Sequence, residues 1–153
     1  MRRNRLVTVS LILAVIVLGM TAYAQMVMRP YHNGSVWNIA FIRMKPGMET
    51  AYLNYLTTDW KRAQEAAKQE GIILSYKVLS TESHGGNDWN VLLMTEYKDL
   101  ATMEANETKA DTLTQRVIGP DEKQRQGYRD RSEIREVVGD RLAREVILEP
   151  RKQ

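Results

Sequence analysis

The hydrophobic positions of this chain change period several times, and each change marks a predicted element. Apolar side chains alternate over Val36–Met44, over Ile72–Ser80 and over Trp89–Tyr97, which is the period-two pattern of β-strands. Between the first two of these, Met48–Glu70 has apolar positions spaced by three and four, as in an amphipathic helix. Gly71 is placed to end that helix as its C-terminal cap.

The C-terminal half of the chain adds two helices and a closing strand. Asp99 is a suitable N-cap for a helix over Leu100–Val117, which Gly119-Pro120 ends. A charge-dense stretch, Asp121–Val138, is predicted to be a further helix whose interleaved acidic and basic side chains face solvent. Leu142–Leu148 alternates weakly and is predicted to be the last strand.

The element order is strand, helix, strand, strand, helix, extra helix, strand. This order predicts an α+β fold of the ferredoxin-like type, a split βαβ arrangement with a four-stranded antiparallel sheet and helices on one face. In a monomer the other face of the sheet would stay open. The strand positions assigned to that open face are largely apolar: Val36, Ala40, Ile42, Ile73, Leu79, Leu92 and Met94. So large an apolar patch is unusual on a soluble monomer, and we expect a homodimer through the open sheet face.

Polar residues interrupt the same apolar face and are the candidate ligand-binding residues. Asn38, Lys77 and Asn90 are singled out, with Ser75 and Glu96 beside them. Polar groups at such positions need partners, which a small-molecule ligand or a neighbouring subunit would supply. The alternative is that they pair with one another or lie near exposed strand ends.

Residues 1–24 have the order of a cleavable secretory signal peptide. Three arginines among the first five residues precede an uncharged, mostly apolar run, and Ala22-Tyr23-Ala24 supplies an A-x-A cleavage pattern. We therefore expect export to the periplasm or the extracellular space, with cleavage near Ala24. The alternative is an uncleaved membrane anchor, because the uncharged run from Leu6 to Ala24 is just long enough to span a bilayer core.

The rest of the chain is predicted to comprise a flexible lead-in over residues 25–35, one domain over residues 36–148 and a short tail over residues 149–153.

Removal of the leader changes the charge balance. Three of the 22 Lys and Arg residues lie in the leader, which leaves 19 against 19 acidic residues. Nucleic-acid binding needs a sustained excess of positive charge, so no nucleic-acid partner is expected. The absence of cysteine excludes disulfides, thiolate metal sites and a lipoprotein anchor.

The split βαβ order, with Lys45-Pro46-Gly47 opening the first helix and a doubly apolar sheet, resembles the dimeric α+β barrel superfamily. That superfamily includes antibiotic-biosynthesis-type monooxygenases, haem-degrading monooxygenases and small stress-response proteins. The resemblance covers about residues 36–148 and implies the fold and a homodimer, whereas members of such folds have many unrelated functions. More closely, three stretches are similar to exported bacterial proteins of unknown function: Trp37-Asn38-Ile39, Lys45-Pro46-Gly47-Met48 and Arg131-Ser132-Glu133-Ile134-Arg135-Glu136.

Haem-degrading members of the superfamily use an Asn on the first strand together with a Trp and a His on the second helix. Asn38 matches the first of these, but Leu100–Val117 contains neither Trp nor His, so the resemblance does not extend to that activity. The two histidines, His32 and His84, fall in segments predicted to be irregular, and no metal-ligand spacing accompanies them. The sequence therefore predicts no metal site and no cofactor.

Two functions remain open, and the sequence does not decide whether the protein is an enzyme. The first is an exported dimeric binding or interaction module. The second is a cofactor-independent monooxygenase acting on a small aromatic or quinone-like substrate, with Asn38, Trp60, Tyr52 and Tyr76 available to line a pocket. Trp60 also belongs to the apolar stripe of the first helix, where its ordinary role is core packing.

Overall fold

The computed structural model describes residues 30–82, 85 and 88–149. The elements are β1 (His32–Met44), α1 (Glu49–Tyr55), a π-helical segment (Leu56–Trp60), α2 (Lys61–Gln69), β2 (Ser75–Ser80), β3 (Val91–Tyr97), α3 (Leu100–Ala105), α4 (Glu107–Val117), α5 (Asp121–Ser132) and β4 (Arg135–Ile147). Residues Gly34–Glu145 form one compact unit. The described residues 30–33 and 146–149 belong to a second unit, in which Nδ1 of His32 lies 3.0 Å from the carbonyl oxygen of Glu149. The predicted signal peptide, His84 and the tail beyond Glu149 lie outside the described residues.

The four strands form one sheet in the order β2-β3-β1-β4. β3 pairs in the antiparallel sense with both β1 and β2. β4 also runs antiparallel to β1, because Glu136 bonds Arg43 near one end of the pair and Glu145 bonds Ser35 near the other. This arrangement, with helices on one face, confirms the predicted α+β ferredoxin-like fold.

Short sequence signals set the ends of the first helical stretch. The turn before α1 places Pro46 ahead of Gly47, which has φ +79°, and the Met48 amide donates to the Lys45 carbonyl at 2.9 Å. This is the pattern of a type II turn, which favours glycine at its third position. Gly71, with φ +69°, follows α2 and confirms the predicted glycine cap.

The core lies between the sheet and the helices in two clusters of buried side chains. The first cluster contains Ile42, Tyr52, Leu56 and Val91, and the second contains Ile72, Ile73 and Leu113. Burying an apolar side chain of this size stabilises a fold by about 1.5–3 kcal/mol. The first helical stretch is therefore held to the sheet at both of its ends.

The predicted assignment of the two faces of β1 is wrong. Val36 and Ile42 are each 2% exposed and lie on the helix side, so the face that includes Asn38 and Ala40 points towards the helices. Ile73 also lies on the helix side, in the second core cluster. Both faces of β1 are apolar, and alternation shows which residues share a face without showing which face the helices cover.

The face that the helices leave open, called the outer face below, follows from the strand register. It carries Trp37, Ile39 and Phe41 on β1, Ser75, Lys77 and Leu79 on β2, and Leu92, Met94 and Glu96 on β3. Because directly opposite residues in an antiparallel pair point to the same side, these nine side chains form three rows across the sheet. The predicted placement of Leu79, Leu92 and Met94 on this face is confirmed.

The predicted helix over Asp121–Val138 is wrong beyond Ser132, because β4 begins at Arg135. The segment has the charged composition of a solvated helix, and Arg135 alone among the residues of β4 is buried. β4 lies at the edge of the sheet. Packing of one of its faces is enough to hold an edge strand in place, so the sequence of β4 shows little hydrophobic periodicity. β1 also begins earlier than predicted, at His32, within the segment predicted to be a flexible lead-in.

Two predicted helices are less regular than expected. The stretch over Met48–Glu70 contains the π-helical segment, where the hydroxyls of Thr57 and Thr58 both donate to the carbonyl of Asn54. The helix over Leu100–Val117 is divided at Asn106, whose side chain donates to the Thr102 carbonyl. Side chains that bond nearby carbonyls compete with the regular helical ladder.

Candidate functional site

The outer face combines apolar rows with a small polar group at one end. Ser75 donates to the Glu96 carboxylate at 2.5 Å. The Lys77 ammonium lies 5.2 Å from the centroid of the Trp37 ring, within the range of a cation–π interaction. Lys77 and Glu96 therefore each have a partner on this face.

At the other end of the outer face, aromatic and aliphatic side chains surround a shallow hollow. Phe41 and Trp89 meet edge to face, with ring centroids 5.5 Å apart. Together with Val138, Gly139 and Arg141 they line a cavity of about 210 Å³. Two apolar side chains near this end stay in contact with solvent, because Leu79 is 50% exposed and Val138 is 41% exposed.

The three candidate ligand residues do not come together. Lys77 lies on the outer face, whereas Asn38 lies on the helix side of β1 and is exposed there. Asn90 precedes β3, and its Oδ1 accepts a hydrogen bond from the Met44 amide at 2.9 Å. The backbone amide of Asn90 donates to the Ile42 carbonyl. Asn90 therefore fixes the junction of β1 and β3, and whether any of the three binds a ligand stays a prediction.

Asn38 belongs to a second polar group on the helix side of the sheet. The register places Asn38 opposite Thr95, and Thr95 opposite Tyr76. Tyr76 donates to a carboxylate oxygen of Glu65 on α2, and this hydrogen bond raises the pKa of Tyr76. Trp60 meets the Tyr76 ring edge to face at 5.3 Å. α2 and the π-helical segment thus partly cover the helix-side row of Asn38, Thr95 and Tyr76.

The π-helical segment also forms one wall of a cavity within the helical layer. This cavity has a volume of about 410 Å³ and is lined by Tyr55, Asp59, Trp60, Ala63, Thr114, Ile118, Lys123, Gln124, Gln126, Gly127, Asp130 and Arg131. The Arg131 guanidinium lies 4.6 Å from the Tyr55 ring centroid. Burial raises the pKa of Tyr55, against the lowering effect of the Arg131 charge next to it. Single π-turns within helices occur frequently at functional sites.

Arginine and tyrosine side chains continue from this cavity into the core. Arg135 is only 8% exposed, and its guanidinium lies 5.2 Å from the Tyr128 ring centroid. Burial raises the pKa of Tyr52 to about 12, against the lowering effect of the Arg135 charge next to it. A second cavity, of about 390 Å³, is lined by Lys45, Tyr128, Ser132, Arg135, Glu136 and Val137.

The sequence did not predict any role for Arg131 and Arg135, because both fall in the stretch expected to be a solvated helix. The only sequence signal at these positions is the resemblance of residues 131–136 to exported bacterial proteins. Within the described ranges no group of three or more His, Asp or Glu side chains is arranged to hold a metal ion. In the same part of the chain, no helix is long and apolar enough to cross a membrane.

Comparison with solved structures finds proteins of similar fold at low sequence identity. HapK from Hahella chejuensis is 12% identical, with a TM-score of 0.47, over 72% of this chain and 91% of that chain. A dimeric protein of unknown function with a ferredoxin-like fold from Bacteroides fragilis is 14% identical, with a TM-score of 0.37, over 76% and 96%. A dimeric ferredoxin-like protein from an uncultured marine organism is 17% identical, with a TM-score of 0.40, over 75% and 94%. No protein-family model matches the chain, and no curated protein matches it. The fold assignment therefore rests on the strand order of this chain itself.

Proposed function

We propose that this protein is an exported homodimeric binding module, in which the outer faces of two copies pack against each other. The observation that carries the proposal is the apolar character of an outer face that no helix covers. Two of its three rows, the one through Met94 and the one through Leu92, consist almost entirely of apolar side chains. These are Ile39, Phe41, Leu79, Leu92 and Met94. Contiguous apolar surface of this kind marks an interaction site.

A second copy is the occupant that fits this surface. Packing sheet against sheet about a two-fold axis would bury the same rows on both chains. The charged groups on β1, β2 and β3 have partners that offset part of the cost of such packing, because Glu96 accepts from Ser75 and Lys77 lies over Trp37. Arg43, at the end of β1, pairs with Glu136 at 2.5 Å. These contacts reduce the cost of removing the charges from water.

The binding role follows from what the paired faces would enclose. The 210 Å³ hollow beside Phe41 and Trp89 would become part of a closed apolar space. The polar group at the other end would supply the few hydrogen-bonding partners that fix the orientation of a small molecule, with Lys77 as a cation and Glu96 as a carboxylate. Sites for small molecules commonly combine an apolar lining with a few placed polar groups.

Light scattering after size-exclusion chromatography tests the dimer. The proposal predicts twice the chain mass at micromolar concentration, and a strictly monomeric mass would contradict it. N-terminal sequencing of the protein recovered outside the cytoplasm tests export. A chain beginning at Gln25 supports cleavage near Ala24, whereas a chain that retains residues 1–24 in the membrane fraction supports the anchor.

The helix-side row favours a second candidate function, a cofactor-independent monooxygenase acting on a small aromatic or quinone-like substrate. Its support is that three residues expected to line such a pocket, Asn38, Tyr76 and Trp60, lie along one side of the sheet. Tyr52 does not join them, because it is 1% exposed in the first core cluster.

Oxygen consumption with a panel of quinols tests this candidate. Enzyme activity predicts turnover that Asn38→Ala reduces at least about tenfold, since loss of one side-chain donor to the charge that develops in a transition state typically costs at least that much. Asn54→Ala, a surface change on α1, is the matched control. No oxygen uptake by the parent protein, or equal rates for the parent and Asn38→Ala, would contradict the enzyme candidate and leave the dimer proposal standing.

A further inference from the structure

Arg135 is a buried cation without an anionic partner. It is 8% exposed, and its Nε has no hydrogen-bond partner. Among residues 30–82, 85 and 88–149, no carboxylate lies within 4 Å of its guanidinium. A guanidinium stays charged at every physiological pH, and burying an unpaired charge is costly. A bound anion that supplied the negative charge would offset this cost.

The cavity next to Arg135 has the lining for an anion. Lys45 brings a second positive charge, and Ser132 and Tyr128 bring hydroxyl groups. Glu136 is the one carboxylate in the lining, and it is engaged by Arg43 at 2.5 Å. The volume of about 390 Å³ exceeds what a simple ion needs.

We propose that this cavity binds the carboxylate of a small organic acid. The planar guanidinium of Arg135 matches the two oxygens of a carboxylate, and Lys45 adds charge from the turn before α1. The ring of Tyr128 and the side chain of Val137 form an apolar wall for the body of the ligand. That wall favours an organic acid over a bare inorganic ion. The site lies on the helix side and does not depend on the dimer.

The competing explanation is a structural role, in which Arg135 is held by the Tyr128 ring and by its contact with Tyr52. The two explanations differ in what Arg135→Met does to the empty protein. Replacing a buried unpaired charge by an apolar side chain of similar length is neutral or stabilising. Loss of a structural arginine would instead lower the melting temperature.

Titration calorimetry of the full chain with sodium benzoate is the direct test. Arg135→Lys keeps the charge but loses the bidentate geometry, and we expect it to weaken benzoate binding at least about tenfold. Lys45→Gln, an exposed change that leaves the core intact, is expected to weaken it about threefold. Lys98→Gln is the matched control, because Lys98 follows β3 at the opposite end of the sheet. The affinity of this variant for benzoate should equal that of the parent.

Four results would overturn the proposal. The first is the absence of benzoate binding to the parent protein at millimolar concentration. The second is equal affinity of the parent and Lys45→Gln, which decides the matter even if Arg135→Lys does not fold. The third is equal affinity for inorganic phosphate and benzoate, which would contradict the assignment to an organic acid. A lower melting temperature for Arg135→Met, with benzoate affinity unchanged in Arg135→Lys, would establish the structural role instead.

Discussion

The Lys77 ammonium lies 5.2 Å from the centroid of the Trp37 ring, although the strands that carry the two residues are separated by β3. The long side chain of Lys77 thus crosses β3 to reach the ring. A cation held over the face of an indole is attracted by the negative face of the ring system. The contact ties together three strands on the outer face, where no helix packs.

Removal of the Lys77 ammonium should weaken the fold slightly. Lys77→Ala is expected to lower the free energy of unfolding by about 0.5–1 kcal/mol, the usual contribution of an exposed cation–π pair. Urea unfolding monitored by tryptophan fluorescence measures this change. Lys98→Ala, which removes an exposed lysine outside the sheet, should stay within about 0.5 kcal/mol of the parent. Equal values for the two variants would show that the contact contributes nothing.

Stability should fall at high pH because of Tyr52. Burial raises its pKa to about 12 in the folded protein, while the unfolded chain has the ordinary value of 10.0. Between these values the folded state binds one proton more than the unfolded state. The contribution of the Tyr52 hydroxyl to the free energy of unfolding is therefore complete below pH 10. It is lost as the pH rises towards 12, at about 1.4 kcal/mol per pH unit.

The matched variant for this pH dependence is Tyr52→Phe, which keeps the ring and removes the titrating hydroxyl. Urea unfolding between pH 9 and about 11.5 should show a shallower loss of stability for this variant than for the parent. Identical slopes would mean that the Tyr52 hydroxyl is not shielded in the folded protein.

Asn90 should matter for stability through its side-chain oxygen. Its Oδ1 accepts from the Met44 amide at 2.9 Å in a partly buried position. Asn90→Ala leaves that amide without its acceptor, and we expect a loss of about 1–2 kcal/mol. Asn90→Asp retains the acceptor and should recover most of the loss. Thermal unfolding of both variants checks this, and equal destabilisation by Ala and Asp would contradict the assigned hydrogen bond.

Much of the fold was predictable because local signals were strong. The apolar alternation of the first three strands, the spacing of the first helix and the glycine cap at Gly71 all point to the observed elements. Asp99 also caps its helix as predicted, since its carboxylate accepts from the Thr102 amide at 2.7 Å. The start of β4 was missed because an edge strand rich in Arg and Glu has the same composition as a solvated helix.

The candidate site was less predictable because it depends on which side of the sheet the helices cover. Val36, Asn38 and Ile42 share a face by simple alternation, but packing alone decides that this face meets the helices. The arginine sites were missed for a different reason. Arg135 becomes buried only through tertiary contacts with residues distant in sequence, and no spacing within residues 121–141 indicates this.

The outer face provides a matched pair of substitutions for the dimer. Leu79 lies on the outer face and is 50% exposed, while Leu53 lies on α1 and is 42% exposed. Replacing either leucine with glutamate adds the same charge to a similarly exposed position. Only Leu79→Glu would place an unpaired carboxylate in the proposed interface, where it would be removed from water without a partner.

Sedimentation equilibrium of the parent, Leu79→Glu and Leu53→Glu at the same micromolar concentration tests the pairing of outer faces most directly. We predict the mass of two chains for the parent and for Leu53→Glu, and the mass of one folded chain for Leu79→Glu. A monomeric parent, or a Leu79→Glu variant that stays dimeric, would contradict the proposal that two copies meet through this face.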